Sequence, residues 1–322
     1  MKKRLYTILP LIPALAIFAA LLLRPQAAAD GARAGLSLCA RTLIPSLFPF
    51  MAASGLLLRL GAPQRLGEKL TPLSRRLFGV GGAGSAVFIL GILGGYPLGA
   101  VTATELYQSG TLEKREAERL LAFCDNSGPA FIVSAVGAAA FGSVRAGFFL
   151  YLVHILAAAL TGVLLRQEDG VKSGKMPAAS QMAFPQAFTE SIRSATGTMV
   201  TVCGFAVFFN VLVGLLDADG GLFLAVGGIS LCFGTELHFT RALFCGLLEL
   251  GTGAGALQGL APSAENLALA AFLLGWGGLS VHAQAAAAAL QGGLNPARHA
   301  LGKLAHGFLS ALLVLLLYPL SR

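Results

Sequence analysis

The sequence predicts an all-α, polytopic membrane protein made of two inverted-topology repeats that contain re-entrant helical hairpins and broken helices. Three observations predict it: charges are too scarce to cover a water-facing surface, apolar segments are interrupted at matching places in two halves, and Lys and Arg are unevenly spread. Charged residues make up 12% of the 322 and hydrophobic residues 56%, whereas a soluble domain carries about 25% charged residues. Mean hydropathy is +0.75. The apolar runs are continuous and rich in Leu and Ala, unlike the alternating ~10-residue segments of a membrane β-barrel.

The apolar segments follow in chain order. A bilayer core of ~30 Å needs about 20 apolar residues of helix. Residues 5–23, behind Lys2, Lys3 and Arg4, meet that length. Ala27-Ala28-Ala29 then resembles a signal-peptide cleavage site. The length of the run favours a retained first helix, so residues 1–30 are read as an N-terminal transmembrane helix or signal anchor. A second span covers 36–60, and the basic amphipathic stretch after it, with Arg65, Lys69, Arg75 and Arg76, reads as an interfacial helix. Residues 80–93 and 100–108 are arms too short to cross, since at most ~14 residues at 1.5 Å each reach ~21 Å. Between them lies Gly94-Gly95-Tyr96-Pro97-Leu98-Gly99, so the unit reads as a re-entrant hairpin. Irregular backbone at that depth is tolerated only when buried in protein or lining a cavity. A charged helical start then leads to an unwound step at 124–129, an apolar run at 130–141 and a span at 146–165. A polar cytoplasmic linker covers 167–185.

The second half repeats this order. Residues 192–216 form a long helix, 244–255 a second broken hairpin around Glu249, 275–284 a second unwound step, and 301–320 a closing span. Pro97 and Leu250 lie 153 positions apart at the hairpin breaks, and Gly128 and Gly278 lie 150 apart at the later ones. The repeats are therefore assigned to 31–166 and 186–322. Paired, Gly/Pro-interrupted segments of this kind point to a transporter-like binding site. With the N-terminus in the cytoplasm and seven full crossings plus two hairpins, all but six of the 23 Lys and Arg face the cytoplasm. The exceptions are Arg24, Arg33, Arg41, Arg145, Arg241 and Arg322. That agrees with the positive-inside rule and makes the two hairpins enter from opposite sides.

Function classes narrow accordingly. The net charge of +8 resides in loops beside spans and is not interleaved with aromatics, so nucleic acid is not an expected partner. The five cysteines are scattered, which argues against a zinc site or disulfide framework. No nucleophile–base pair, phosphate loop or metal cluster is visible. The expectation is a non-enzyme with no catalytic residues, no cofactor and no metal.

An ionisable side chain at membrane depth costs ~2.5–3.5 kcal/mol on insertion scales, so it is a functional candidate by default. Glu249 in the second hairpin, Asp125 at the first unwound step and Glu105 near the end of the first hairpin qualify. Broken helices also expose free N–H and C=O groups that can bind a charged guest. The candidate substrate-binding set is Gly95, Tyr96, Pro97, Asp125, Asn126, Ser127, Glu249, Gly278, Ser280 and His282. Against this stands plain helix packing through small residues, for which Gly91, Gly95 and Gly99 supply a G-x-x-x-G series. His282 is weighed against a purely hydrogen-bonded structural role, and His154 reads as packing.

Four strings carry a family resemblance: Ile44-Pro45-Ser46-Leu47-Phe48-Pro49-Phe50, Gly94–Gly99, Phe123-Cys124-Asp125-Asn126-Ser127-Gly128-Pro129-Ala130-Phe131, and Gly277-Gly278-Leu279-Ser280-Val281-His282-Ala283-Gln284. With them the chain resembles the YlbJ-type sporulation integral membrane proteins, which carry the nucleoside-recognition, or Gate, domain. The resemblance implies a multi-pass cell-membrane location, a role in sporulation and two Gate-like repeats. It also implies a transporter-like protein that holds a small polar solute at the midplane through Tyr96, Asn126, Ser127, Glu249 and Ser280. The competing reading is a structural or interaction protein of the sporulation membrane that transports nothing. The lipid bilayer is the expected partner, and homo-oligomerisation is left open.

Overall fold

The computed structural model describes residues 11–167, 182–218 and 220–320. The basic residues 2–4, the first part of the 5–23 segment and most of the 167–185 linker lie outside the described residues.

Among the described residues every regular element is a helix. Helix α1 (Leu11–Leu23) comes first. The first series is α2 (Pro25–Arg59, with a π-turn at Cys39–Leu43), α3 (Ala62–Phe78), α4 (Gly82–Gly94), α5 (Leu98–Gln108), α6 (Lys114–Cys124), the π-helix α7 (Ala130–Ala140) and α8 (Val144–Leu164). The second is α9 (Phe184–Asp217), α10 (Gly221–Phe233), α11 (Leu237–Leu248), α12 (Leu250–Ala256), α13 (Ala264–Trp276), α14 (Gly278–Gln291) and α15 (Ala297–Leu317). The first spans of both series begin earlier than the hydropathy runs at 36 and 192 predict. Pro25 and Pro185 open them, and proline fits the first turn of a helix because the N–H it lacks would be unpaired there anyway.

Among the described residues five helices are long and apolar enough to cross a membrane: α2, α8, α9, the α13–α14 pair and α15. The chain is a multi-pass membrane protein. Its surface is built inside out relative to a soluble one. On α8, Val144, Phe148, Leu152 and Leu156 point outward, while Gly147, Leu150, His154, Ala157, Ala158 and Thr161 point in. On α15, Leu301, Phe308, Leu312 and Leu315 are exposed, and His299, Gly302, Lys303, His306 and Ser310 are buried. Lipid solvates the leucines, and association relies on close packing of small residues instead.

The amphipathic helix α3 meets α4 at 92° between Gly67–Phe78 and Gly82–Gly94, the bend expected where an interfacial helix turns inward. Arg119 pins this corner: its Nη2 donates to the Gly79 carbonyl at 2.7 Å. Arg119 and Lys303 are both buried on helices, not in cytoplasmic loops as the charge count assigns them. The positive-inside pattern therefore loses two of its residues to internal contacts.

Helix approach is closest where glycine faces backbone. A Cβ on Gly302 of α15 would stand 2.2 Å from the Ala122 carbonyl oxygen of α6, and one on Gly99 would stand 2.1 Å from that of Cys124. Gly302→Ala is therefore expected to lower the thermal unfolding midpoint in detergent, at a cost of about 1–3 kcal/mol for overpacking. Gly204→Ala on α9, which meets nothing within 4 Å, serves as the control and should leave the midpoint unchanged or slightly raised.

Candidate functional site

Four interruptions of the helices converge on one region. The first lies between α4 and α5, where Gly95 adopts φ 80°, a left-handed backbone that favours glycine. The second is the unwound stretch after α6, where Asp125 is extended. The third is Glu249, extended between α11 and α12. The fourth is Gly277, at φ 84° between α13 and α14.

Around them lies a partly enclosed cavity lined by Tyr96, Ser127, Glu249, Ser280 and Gln284, with Leu47, Phe131, Val202 and Val281 among its apolar walls. It offers ≈ 50 Å³ to the centres of water-sized solutes, and one water needs about 10–15 Å³ by this measure. Counting all space between atoms, the hollow reaches ≈ 460 Å³, part of it open outward. A second hollow of ≈ 140 Å³ shares Phe131 and Gly251 with it.

Glu249 is 4% exposed. Its carboxylate accepts from the Gly251 N–H at 3.0 Å and the Thr252 N–H at 2.6 Å, so it caps α12. The Thr252 hydroxyl lies 2.7 Å from Glu249 Oε2 and 3.1 Å from Asn210 Oδ1, and its single proton serves one of them at a time. Across the cavity the Gln284 amide donates to Ser280 Oγ at 3.4 Å. Gln284 Oε1 is buried without a partner, which leaves an acceptor for a guest or water.

Behind the Tyr96 wall sits a polar network. Lys303 is 0% exposed. Its ammonium donates to the Asp125 backbone carbonyl, to Tyr96 Oη at 3.3 Å and to Asn126 Oδ1 at 3.4 Å. These three acceptors match its three N–H groups. Tyr96 Oη in turn donates to the Leu274 carbonyl at 3.0 Å. The Asp125 carboxylate meets the Ala100 N–H at 3.3 Å and His299 Nε2 at 3.0 Å. His299 Nδ1 stands 3.2 Å from His282 Nδ1. The Ser127 N–H donates to His154 Nε2 at 3.1 Å, so His154 secures the unwound stretch as well as packing α8.

The ten predicted residues therefore divide. Tyr96, Ser127, Glu249 and Ser280 line the cavity. Gly95 and Gly278 allow backbone to approach backbone, Gly95 against Gly128 and Gly278 against Gly246 and Leu250. Pro97 ends the first turn and precedes α5. Asp125 and Asn126 face the network, not the cavity, and His282 stacks on Trp276 with ring centroids 4.1 Å apart. Glu105, also singled out at membrane depth, is exposed. Lys303, His299, His306, Asn210 and Gln284 were missed. A signal existed for the α15 set: positions 299, 303, 306 and 310 recur at helical spacing in an otherwise apolar helix.

The chain is similar to the sporulation integral membrane protein YlbJ of Bacillus subtilis strain 168. They are 26% identical over 319 residues, which take in 91% of this chain and 78% of that protein. The likeness supports the YlbJ-type assignment. No protein-family model matches the chain, and no solved structure matches it significantly.

Asp125 and Lys303 sit together in a low-dielectric interior, so losing one charge should strand the other. Lys303→Met is expected to cost about 1–3 kcal/mol of stability, because it leaves the Asp125 carbonyl, Tyr96 Oη and Asn126 Oδ1 without their donor. Adding Asp125→Asn should recover part of it. A double-mutant cycle by chemical unfolding in micelles checks this, and strictly additive losses would contradict it.

Proposed function

We propose that this protein is a transporter-like membrane protein of the sporulation apparatus that binds a small polar solute in the cavity formed where its four helix breaks meet. The two halves are oppositely inserted in this reading, and each contributes one hairpin and one unwound helix to the site. The observation that carries it is the convergence of Tyr96 and Ser127 from the first half with Glu249, Ser280 and Gln284 from the second on one cavity. Interrupted segments from two halves meeting at depth supply what a midplane carrier site needs: free backbone dipoles, a few polar side chains and an apolar shell. The likeness to a sporulation membrane protein supports the cellular setting.

The chemistry fits a neutral or partly charged polar guest. Ser127 and Ser280 can each donate or accept, Gln284 Oε1 accepts, and Glu249 supplies a carboxylate already engaged in capping α12. The Leu47, Phe131 and Val281 walls cover apolar parts of the guest and exclude water.

Purified protein in liposomes, tested for binding and uptake against a panel of neutral, cationic and anionic polar solutes, should retain one chemical class. Ser280→Ala, which removes a hydroxyl, and Glu249→Gln, which replaces a charged acceptor oxygen with an amide donor, should each weaken that binding about tenfold or more, on the scale of ~1–3 kcal/mol for a hydrogen bond left unmade. Asn126→Ala, one layer behind the wall, should have a smaller effect. Binding unchanged in the first two variants removes the cavity as the site. No retained class at all favours a non-transporting role.

A further inference from the structure

With both rings neutral, the Asp125–His299–His282 chain has two self-consistent hydrogen patterns, and they differ by one proton. With Asp125 ionised, His299 must present Nε2–H to the carboxylate. A neutral His299 then has a lone pair on Nδ1, so His282 must donate Nδ1–H across the 3.2 Å contact. That leaves His282 Nε2 as a lone pair, and this atom, like His154 Nδ1 and His306 Nδ1, is a buried ring nitrogen without a hydrogen-bond partner. With Asp125 protonated every bond reverses: the carboxyl O–H donates to His299 Nε2, His299 Nδ1–H donates to His282 Nδ1, and His282 Nε2 carries a proton. The heavy atoms need not move.

We propose that these three residues form a proton relay into the protein interior, entered at His282 Nε2 and ending on Asp125, which loads the carboxylate behind the solute cavity. One proton binds His282 Nε2. The His282 Nδ1–H bond breaks as its proton joins His299 Nδ1. The His299 Nε2–H bond breaks as its proton joins Asp125 Oδ2. Both rings stay neutral, and the only net change is one added proton on Asp125.

The consequence lies at Lys303. Its ammonium is held by the Asp125 carbonyl, Tyr96 and Asn126. Neutralising Asp125 leaves that buried cation without its counter-charge, one side chain away from the cavity that Tyr96 lines. The proposal rests on the solute-site reading for its purpose, since loading the relay would change the field at the cavity wall and couple solute to protons.

Other titratable groups face this chain. Tyr96 comes from the first hairpin and Cys124 precedes Asp125 on α6, with Glu116 and Arg119 further back on that helix. His154 on α8 and His306 on α15 stand with their rings 4.4 Å apart, His306 three residues beyond Lys303. α4 brings no ionisable side chain. His154 and His306 bond elsewhere: His154 Nε2 accepts from Ser127, and His306 Nε2 donates to the His154 carbonyl.

The test uses the full-length protein in lipid nanodiscs with ¹⁵N-histidine and ¹³C-aspartate labels, and protons as the only ligand. While the Asp125 carboxyl reports itself ionised, His299 should appear as the Nε2–H tautomer and His282 as the rarer Nδ1–H tautomer. As acidification protonates Asp125, both rings should exchange tautomers without becoming imidazolium. Tautomers that stay fixed while Asp125 gains its proton, or an imidazolium at either ring, overturn the relay. His282→Phe keeps an aromatic ring against Trp276 and removes the entry nitrogen. Asp125 should then take up its proton at least tenfold more slowly after a pH jump, and an unchanged rate overturns the proposal. No solute enters either measurement, so a failed relay and a failed solute site give different results.

Discussion

The interior of this protein is organised around an ammonium in an apolar medium. Lys303 has no water to solvate it, and an isolated buried charge is prohibitively costly unless paired and hydrogen-bonded. The chain satisfies it with groups that exist only because helices are broken. The Asp125 carbonyl is free because α6 stops at Cys124, and Asn126 and Tyr96 reach inward because their backbones are not helical. The converse also holds, since non-helical backbone at membrane depth must find internal partners. His154 supplies one to Ser127, and the Glu249 side chain supplies two at the second hairpin. Breaks and buried polar side chains are mutually required.

This explains which parts of the architecture could be read from sequence. Both hairpins, both unwound steps and the closing spans were visible because Gly and Pro interrupt apolar runs, a local signal in one dimension. Of the residues that the family resemblance singled out, Tyr96, Ser127, Glu249 and Ser280 line one cavity and Asn126 does not. Lys303 was not, because a lysine near the start of a span counts as a loop cation under the positive-inside rule. Only the helical register of 299, 303, 306 and 310 marks it as inward. Asp125 was picked for its depth, yet which way it faces is set by His299, 174 positions away. A pairing at that separation leaves no trace in a single sequence.

The glycines separate along the same line. The Gly91, Gly95, Gly99 series reads equally as packing or as a binding tip. Gly91 and Gly99 press α4 and α5 against the Cys124 carbonyl and are packing residues. Gly95 takes the left-handed turn and lies against Gly128 of the unwound stretch. Packing by the outer pair holds the break of the first hairpin against that of the next helix, so the two roles belong to one device. The second half repeats it with different residues: Gly253 closes on Gly246 across the hairpin, and Gly278 lies against Gly246 and Leu250.

Tyr96 is where the two polar regions touch. Its ring lines the cavity, while its hydroxyl accepts from Lys303 and donates to Leu274 on α13. In the proposed reading, a guest pressing on that ring and a proton arriving at Asp125 would act on opposite ends of one short chain of contacts. Because the hydroxyl has a single proton, already given to the Leu274 carbonyl, Tyr96 can only accept from Lys303. A change in charge behind the wall is therefore felt at the hydroxyl without any rearrangement of donors. Any free energy that linked such a guest to that proton would be equal in both directions. The cavity wall thus carries two polar links to the rest of the fold, Tyr96 toward Lys303 and Glu249 toward the start of α12.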